Sequence, residues 1–229
     1  MTTKKFSIAL LILFAFLFSS CIDLKQVTHI NKDGSGIITI YYSTKLANLS
    51  MGDELGDFAF SEIKAKNFLT SANSDVRELQ IESKQSDSAV YVTAIINFAD
   101  FNKLNTAKSF SKLNTIWERT SEGYKFAYII NKDSVKISNF GEGPHYLNYE
   151  FEFPGEVVSS NGKTEGRKVK WTTDLNQLRS GFEMTATVEA SSGVCGMFGF
   201  ELPIILMLAG LFFLTMRNYR SSKKILSSE

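Results

Sequence analysis

The sequence predicts an α+β fold: an antiparallel β-sheet ectodomain with one or two packed helices, plus a C-terminal transmembrane helix. Three observations carry this. Period-2 alternation recurs through the middle of the chain, most clearly at Val90, Val92, Ala94, Ile96 and Phe98 and at Leu147, Tyr149, Phe151 and Phe153. Met51, Leu55, Phe58 and Ile63 give a three-to-four spacing over residues 51–69. Residues 197–216 are almost continuously apolar and lead into Arg217, Arg220, Lys223 and Lys224. With 44% hydrophobic and 21% charged residues and three prolines in 229, the chain has a folding composition. Its net charge of +1 gives no ground for a nucleic-acid partner.

The N-terminus reads as a signal peptide over residues 1–20. Lys4 and Lys5 form the basic region, residues 8–18 the apolar one, and Ser19 and Ser20 the small pair before Cys21. Eleven apolar residues make a helix of about 16 Å, roughly half a hydrocarbon core. Phe18-Ser19-Ser20-Cys21 resembles a bacterial lipobox, with Phe18 where Leu is usual, so Cys21 is the expected lipidation site.

At the other end, residues 197–216 would reach about 30 Å as a helix, the thickness of the hydrocarbon core. The basic tail, 217–229, then places its side in the cytoplasm. Both anchors put residues 21–194 on the extracytoplasmic face of the cytoplasmic membrane. Cys195-Gly196 before the apolar run also looks like a sorting signal, which leaves open whether a protease removes the helix. With Cys21 acylated, Cys195 has no partner, and no disulfide is expected.

Between the anchors, residues 22–200 hold 19 Lys and Arg against 22 Asp and Glu, a slightly acidic single domain. Residues 26–32 and 37–43 flank Asp33-Gly34-Ser35-Gly36, a hairpin signature, because Asp and Gly accept the positive φ of tight turns. One or two helices are expected over 51–69, although Gly52 and Gly56 interrupt the pattern. Further strands follow around Leu79 and Ile81, over 90–98, at 116–118 and 124–130 about a Ser121-Glu122-Gly123 turn, and over 147–153 until Pro154-Gly155. Val169 and Trp171 and then residues 182–189 supply the last two. Helical turns at 100–105, capped by Asp100, and at 174–178, capped by Thr173 or Asp174, each follow an aromatic-ended strand, a likeness that is either a short internal repeat or chance.

Chemistry is sparse. His29 lies in a strand and His145 in a Gly-rich loop, neither with a second ligand at metal spacing. Glu150 and Glu152 are paired carboxylates on one strand face, as in glycosidases, but alternation with Tyr149, Phe151 and Phe153 reads as a solvated face opposite a buried one. Gly34-Ser35-Gly36 is a hairpin turn rather than a nucleophile elbow. Gly162-Lys163-Thr164 ends like a phosphate loop, yet no helical pattern follows, so a surface turn is expected. Neither enzyme activity nor a cofactor or metal is expected. Nineteen Phe and eight Tyr remain. Either they line an apolar cavity for an acyl chain between sheet and helix, or they fill an ordinary core.

Cys21 with a short polar segment after it, Asp33-Gly34-Ser35-Gly36, Phe98-Ala99-Asp100-Phe101, Pro154-Gly155-Glu156-Val157, Asn161-Gly162, Gly166, Val169-Lys170-Trp171 and the C-terminal apolar helix together resemble the LppM-type bacterial lipoproteins. Residues 154–171 carry the resemblance most specifically. It implies an α+β, antiparallel-sheet ectodomain and a role in cell-envelope lipid recognition, and brings no catalytic motif. The expected function is therefore non-catalytic binding of a lipid or other apolar envelope ligand by a membrane-anchored lipoprotein. The alternative is an assembly protein docking another envelope protein through a sheet edge.

Overall fold

The computed structural model describes residues 23–50, 52–132 and 147–190. Strands β1 (Asp23–Ile30) and β2 (Gly36–Lys45) form the expected hairpin, with Ile30 opposite Gly36. Its turn closes on itself: the Ser35 N–H and hydroxyl donate to Asp33 Oδ1 at 3.0 and 2.7 Å, and the Gly34 N–H donates to the Asn31 carbonyl at 3.0 Å. Gly34 sits at φ 84°, where a side chain is disfavoured. Gly36 is required by space, since a Cβ there would stand 2.0 Å from the His29 carbonyl oxygen.

The helix expected over 51–69 is confined to its second half. A 3-10 turn (Leu46–Leu49) leads into a short hairpin, β3 (Glu54–Leu55) and β4 (Phe58–Ala59), and only then into α1 (Glu62–Leu69). Gly56, at φ 61°, makes the hairpin turn, and this left-handed residue diverts an apolar spacing that mimics a helix. Phe58 and Phe60 pack on Tyr42 at 5.2 and 5.3 Å, and the Tyr42 hydroxyl donates to the Ala59 carbonyl at 2.6 Å. Helix α1 buries Ala65, Phe68 and Leu69, with Leu79 and Ile81 packed against Ala65 and Phe68.

Strands β5 (Ser74–Lys84) and β6 (Ala89–Phe98) follow, then 3-10 turns at Phe101–Thr106 and Lys108–Phe110. The remaining elements are β7 (Leu113–Thr120), β8 (Gly123–Ile130), β9 (Leu147–Glu152), β10 (Val157–Ser160), β11 (Lys163–Glu165), β12 (Lys168–Thr173), α2 (Leu175–Ser180) and β13 (Phe182–Glu189). Both expected caps form. Asp100 accepts from the Asn102 N–H at 3.0 Å and Asp174 from the Gln177 N–H at 2.8 Å, although the first turn is 3-10 and the second α-helical.

The strands assemble into a seven-stranded sheet, β11-β12-β9-β1-β2-β6-β5, and a four-stranded sheet, β10-β13-β8-β7. All neighbours are antiparallel except β1 and β9, which run parallel. The four-stranded sheet covers the β9 and β12 side of the larger one, as contacts of Phe126 with Phe151 at 4.8 Å and with Trp171 at 5.9 Å show. Helix α1 and the β3–β4 hairpin cover the β2, β6 and β5 side.

The expected α+β class is therefore corrected to a mostly-β, two-sheet fold. Period-2 patterns establish strands but not which sheet each one joins. The layer expected to be helical is largely a second sheet, and among the described residues two short α-helices remain. The C-terminal transmembrane helix in that expectation has no counterpart here: no helix among the described residues is long and apolar enough to cross a membrane. Residues 197–216 themselves lie outside the described residues, as do 1–22 and 217–229.

Three asparagine amides act as surrogate peptides. Asn73 pairs with the N–H and carbonyl of Asp100 at 2.9 Å each. Asn102 does the same for Trp117 at 3.1 and 2.7 Å, so the outer edge of β7 is occupied there. Asn161 accepts from the Trp171 indole at 2.8 Å and the Thr185 N–H at 2.9 Å, and donates to the Glu183 carbonyl at 2.8 Å, joining the two sheets.

Candidate functional site

The aromatic residues pack on one another. Phe101, Phe126, Phe151 and Phe153 are buried between the sheets, and Phe126 lies 4.8 Å from Phe151 and 4.9 Å from Phe153. Trp117 stacks on Tyr124 at 4.6 Å and beside Phe153 at 6.0 Å. Among the described residues the rings between the sheets contact one another, which accounts for the aromatic excess by core packing. The Tyr128 hydroxyl donates to Gln26 Oε1 at 3.2 Å and Gln26 Nε2 to Thr28 Oγ1 at 3.0 Å, so these buried polar groups satisfy one another. Burial pushes the Tyr128 and Tyr149 phenols above the usual tyrosine range.

The concave surface lies instead along the seven-stranded sheet. Strand register sets Thr172, Asn148, Lys25, Tyr41 and Thr93 side by side across five strands. All five belong to the strand positions that point away from the core. Two clefts meet in this row, one of about 310 Å³ toward Lys170 and Trp171 and one of about 270 Å³ toward Tyr41 and Tyr91, with Lys25 and Asn148 shared by both. Together they form a groove whose outward rings are Tyr41 and Tyr91, with a few polar groups beside them, a composition that favours an amphipathic ligand.

Its polar groups are partly organised. Thr172 donates to Asn148 Oδ1 at 2.9 Å, and the Tyr91 hydroxyl donates to Asp87 while Lys84 lies 5.0 Å from the Tyr91 ring centre. That bond holds the Asp87 carboxyl below its usual range and raises the Tyr91 phenol. Tyr41 is 42% exposed, a large aromatic left on the surface. Sequence reading did not find this row. Each residue shows only as an outward position in its own strand, and register, which aligns them, is set by the pairing.

The residues singled out from the sequence fall elsewhere. Cys21, Cys195 and His145 lie outside the described residues. His29 Nδ1 stands 3.2 Å from Glu152, and no group of three metal-ligating side chains occurs among the described residues. Glu150 and Glu152 are on the solvated face, as expected. Lys168 reaches Glu152 at 3.2 Å and Glu150 at 3.8 Å, with Lys170 at 3.9 Å from Glu150 and Arg167 at 3.5 Å from Glu152. Gly162 is packed against the Trp171 ring and Val169 in the turn before β11, where Lys163 pairs with Glu165 at 3.3 Å.

Comparison with known proteins rests on this architecture. The LppM domain family matches residues 34–190, more than two thirds of the chain. The chain belongs to the LppM family. The solved folded domain of the Mycobacterium tuberculosis LppM protein, determined by NMR, is similar at 16% identity and a TM-score of 0.42, covering 77% of this chain and 94% of that one. No curated protein matches. The LppM match begins inside the first hairpin, so β1 precedes it, yet β1 pairs with both β2 and β9 and is integral to the large sheet.

Proposed function

We propose that this LppM-family protein is a bacterial envelope lipoprotein, tethered to the outer face of the cytoplasmic membrane through acylated Cys21, whose domain binds an amphipathic envelope lipid in the outer groove. The reading is non-catalytic and needs no cofactor. The observation that carries it is the position of the groove. One cleft includes Asp23 and Leu24, the first residues of β1, and Cys21 is two residues earlier. Two residues span at most about 7 Å, so a lipid on Cys21 holds the open groove at the membrane surface. Acyl chains would lie along the outward rings of Tyr41 and Tyr91 while Lys25, Asn148 and Thr172 meet the polar group.

The assembly reading has less support, because the edge of β7 is engaged by Asn102 and the edge strand β5 carries a bulge between Val76 and Glu78 beside outward charges. Two experiments test the proposal. Labelling cells with an alkyne fatty acid should tag the wild-type chain and not Cys21→Ser, and persistent labelling would refute the tether. Lipid co-purifying with the full chain, read by native mass spectrometry, should fall at least fivefold in the double variant Lys25→Glu/Tyr41→Asp. Equal retention would refute the groove.

A further inference from the structure

We infer that the domain stands end-on against the bilayer, with the end at which β1 begins dipping Leu46 and Ile63 into the lipid interface. The inference rests on the Cys21 tether proposed above, and adds which part of the fold touches lipid. β1 starts at Asp23, which pairs with Ser43, so Lys45 and Leu46 extend past the start of β1 toward the tether. Helix α1 begins at the same level. Phe60, two residues before it, packs on Tyr42, which pairs with Leu24, and Lys64 and the Ser61 hydroxyl both bond Asp53. The helix ends at the far side, where the Leu69 carbonyl accepts from Ser74, opposite Phe98 and Gly36.

Helix α1 turns Ala65, Phe68 and Leu69 to the core and leaves Ile63 77% exposed in its first turn. Leu46 is 36% exposed. Single exposed aliphatic residues are ordinary. These two share the end that a two-residue linker fixes at the membrane, and a bilayer is the apolar phase in reach there. The charges around them suit that surface. Lys64 is paired with Asp53 and Glu54 and Lys84 with Glu82, while Lys45 donates to the Asp87 backbone carbonyl, so the aliphatic tips share this end with lysines whose heads are held by partners in the fold. Val158, 61% exposed, is at the opposite end, since its neighbour Val157 pairs with Val188 and Val188 with Tyr124. Along β1 the two ends are about 23 Å apart at ~3.3 Å per residue.

The test reconstitutes the full acylated chain, in a Cys195→Ser background, into vesicles of phosphatidylethanolamine and phosphatidylglycerol carrying a nitroxide-labelled lipid. A polarity-sensitive fluorophore is attached at Leu46→Cys, Ile63→Cys or Val158→Cys, three exposed positions that leave the core intact. Quenching should be at least threefold stronger at 46 and 63 than at 158. Equal quenching at all three, or stronger quenching at 158, overturns the orientation. Flotation separates the two readings: a chain that floats with 46 and 63 unquenched overturns the orientation alone, whereas a chain that no longer floats overturns the tether and the orientation together.

Discussion

Replacing Asn161 by Ala should loosen the joint between the two sheets. Its Oδ1 accepts from the Trp171 indole at 2.8 Å and the Thr185 N–H at 2.9 Å, and its Nδ2 donates to the Glu183 carbonyl at 2.8 Å. Trp171 is buried, so its indole N–H would lose its partner where water enters poorly, at about 1–2 kcal/mol. The two backbone groups are more open to water and cost about 0.5 kcal/mol each. The sum, about 2–3 kcal/mol, corresponds to a fall in melting temperature of about 4–12 °C for a domain of this size. Asn161→Asp keeps the acceptor for both N–H groups and loses only the donor to the Glu183 carbonyl, so it should cost about 0.5 kcal/mol. The assay is urea denaturation of residues 22–190 followed by circular dichroism and tryptophan fluorescence. A double-mutant cycle with Trp171→Phe should return a coupling of about 1 kcal/mol. An Asn161→Ala domain within 0.5 kcal/mol of wild type, or a coupling of zero, would refute the account of the joint.

The remaining structural predictions are simpler. Gly36→Ala places a Cβ 2.0 Å from the His29 carbonyl oxygen and 2.5 Å from the Phe98 ring, so a loss of about 3 kcal/mol or more is expected by denaturation, or no folded product. Tyr42→Phe strips the Ala59 carbonyl of its 2.6 Å donor in a buried site and should cost about 1–2 kcal/mol in the same assay. The hydrogen bond from Lys64, and then that from the Ser61 hydroxyl, hold the Asp53 carboxyl below its usual range. Its contribution is thus fully present above the unfolded aspartate pKa near ~3.9 and is lost as pH falls through the lower folded value. Melting temperatures of wild type and Asp53→Asn should accordingly differ at pH 7 and converge in acid, and a gap that persists at the lowest pH would contradict this.

Strands with a clean alternation were legible in the sequence. Val90 to Phe98, Leu147 to Phe153 and the hairpin at Asp33-Gly34-Ser35-Gly36 stand where period and turn chemistry put them, because a one-residue slip would turn every buried side chain outward. Residues 52–60 were not legible. Met51, Leu55 and Phe58 are spaced like a helix face, and the positive φ at Gly56, with two rings drawn onto Tyr42, makes a hairpin of residues 54–59. The second sheet was hidden for another reason. Residues 124–130 alternate imperfectly: Ala127 on the outward side is buried along with Phe126 and Tyr128, and nothing local tells β8 to pair with β7 and β13 rather than extend the larger sheet. The groove was invisible on the same ground, since Thr172, Asn148, Lys25 and Tyr41 meet only through register between strands far apart in sequence.

The central claim is that the lipid lies on the outer face of the large sheet and not between the sheets. The most direct measurement uses a phospholipid with a diazirine in its acyl chain, irradiated with the full chain in vesicles and mapped by peptide mass spectrometry. Crosslinks should fall on residues 23–26, 41–43, 91–93, 148–150 and 170–172 and should drop in Lys25→Glu/Tyr41→Asp. Crosslinks confined to β7, β8 and β13, unchanged in that variant, would contradict it.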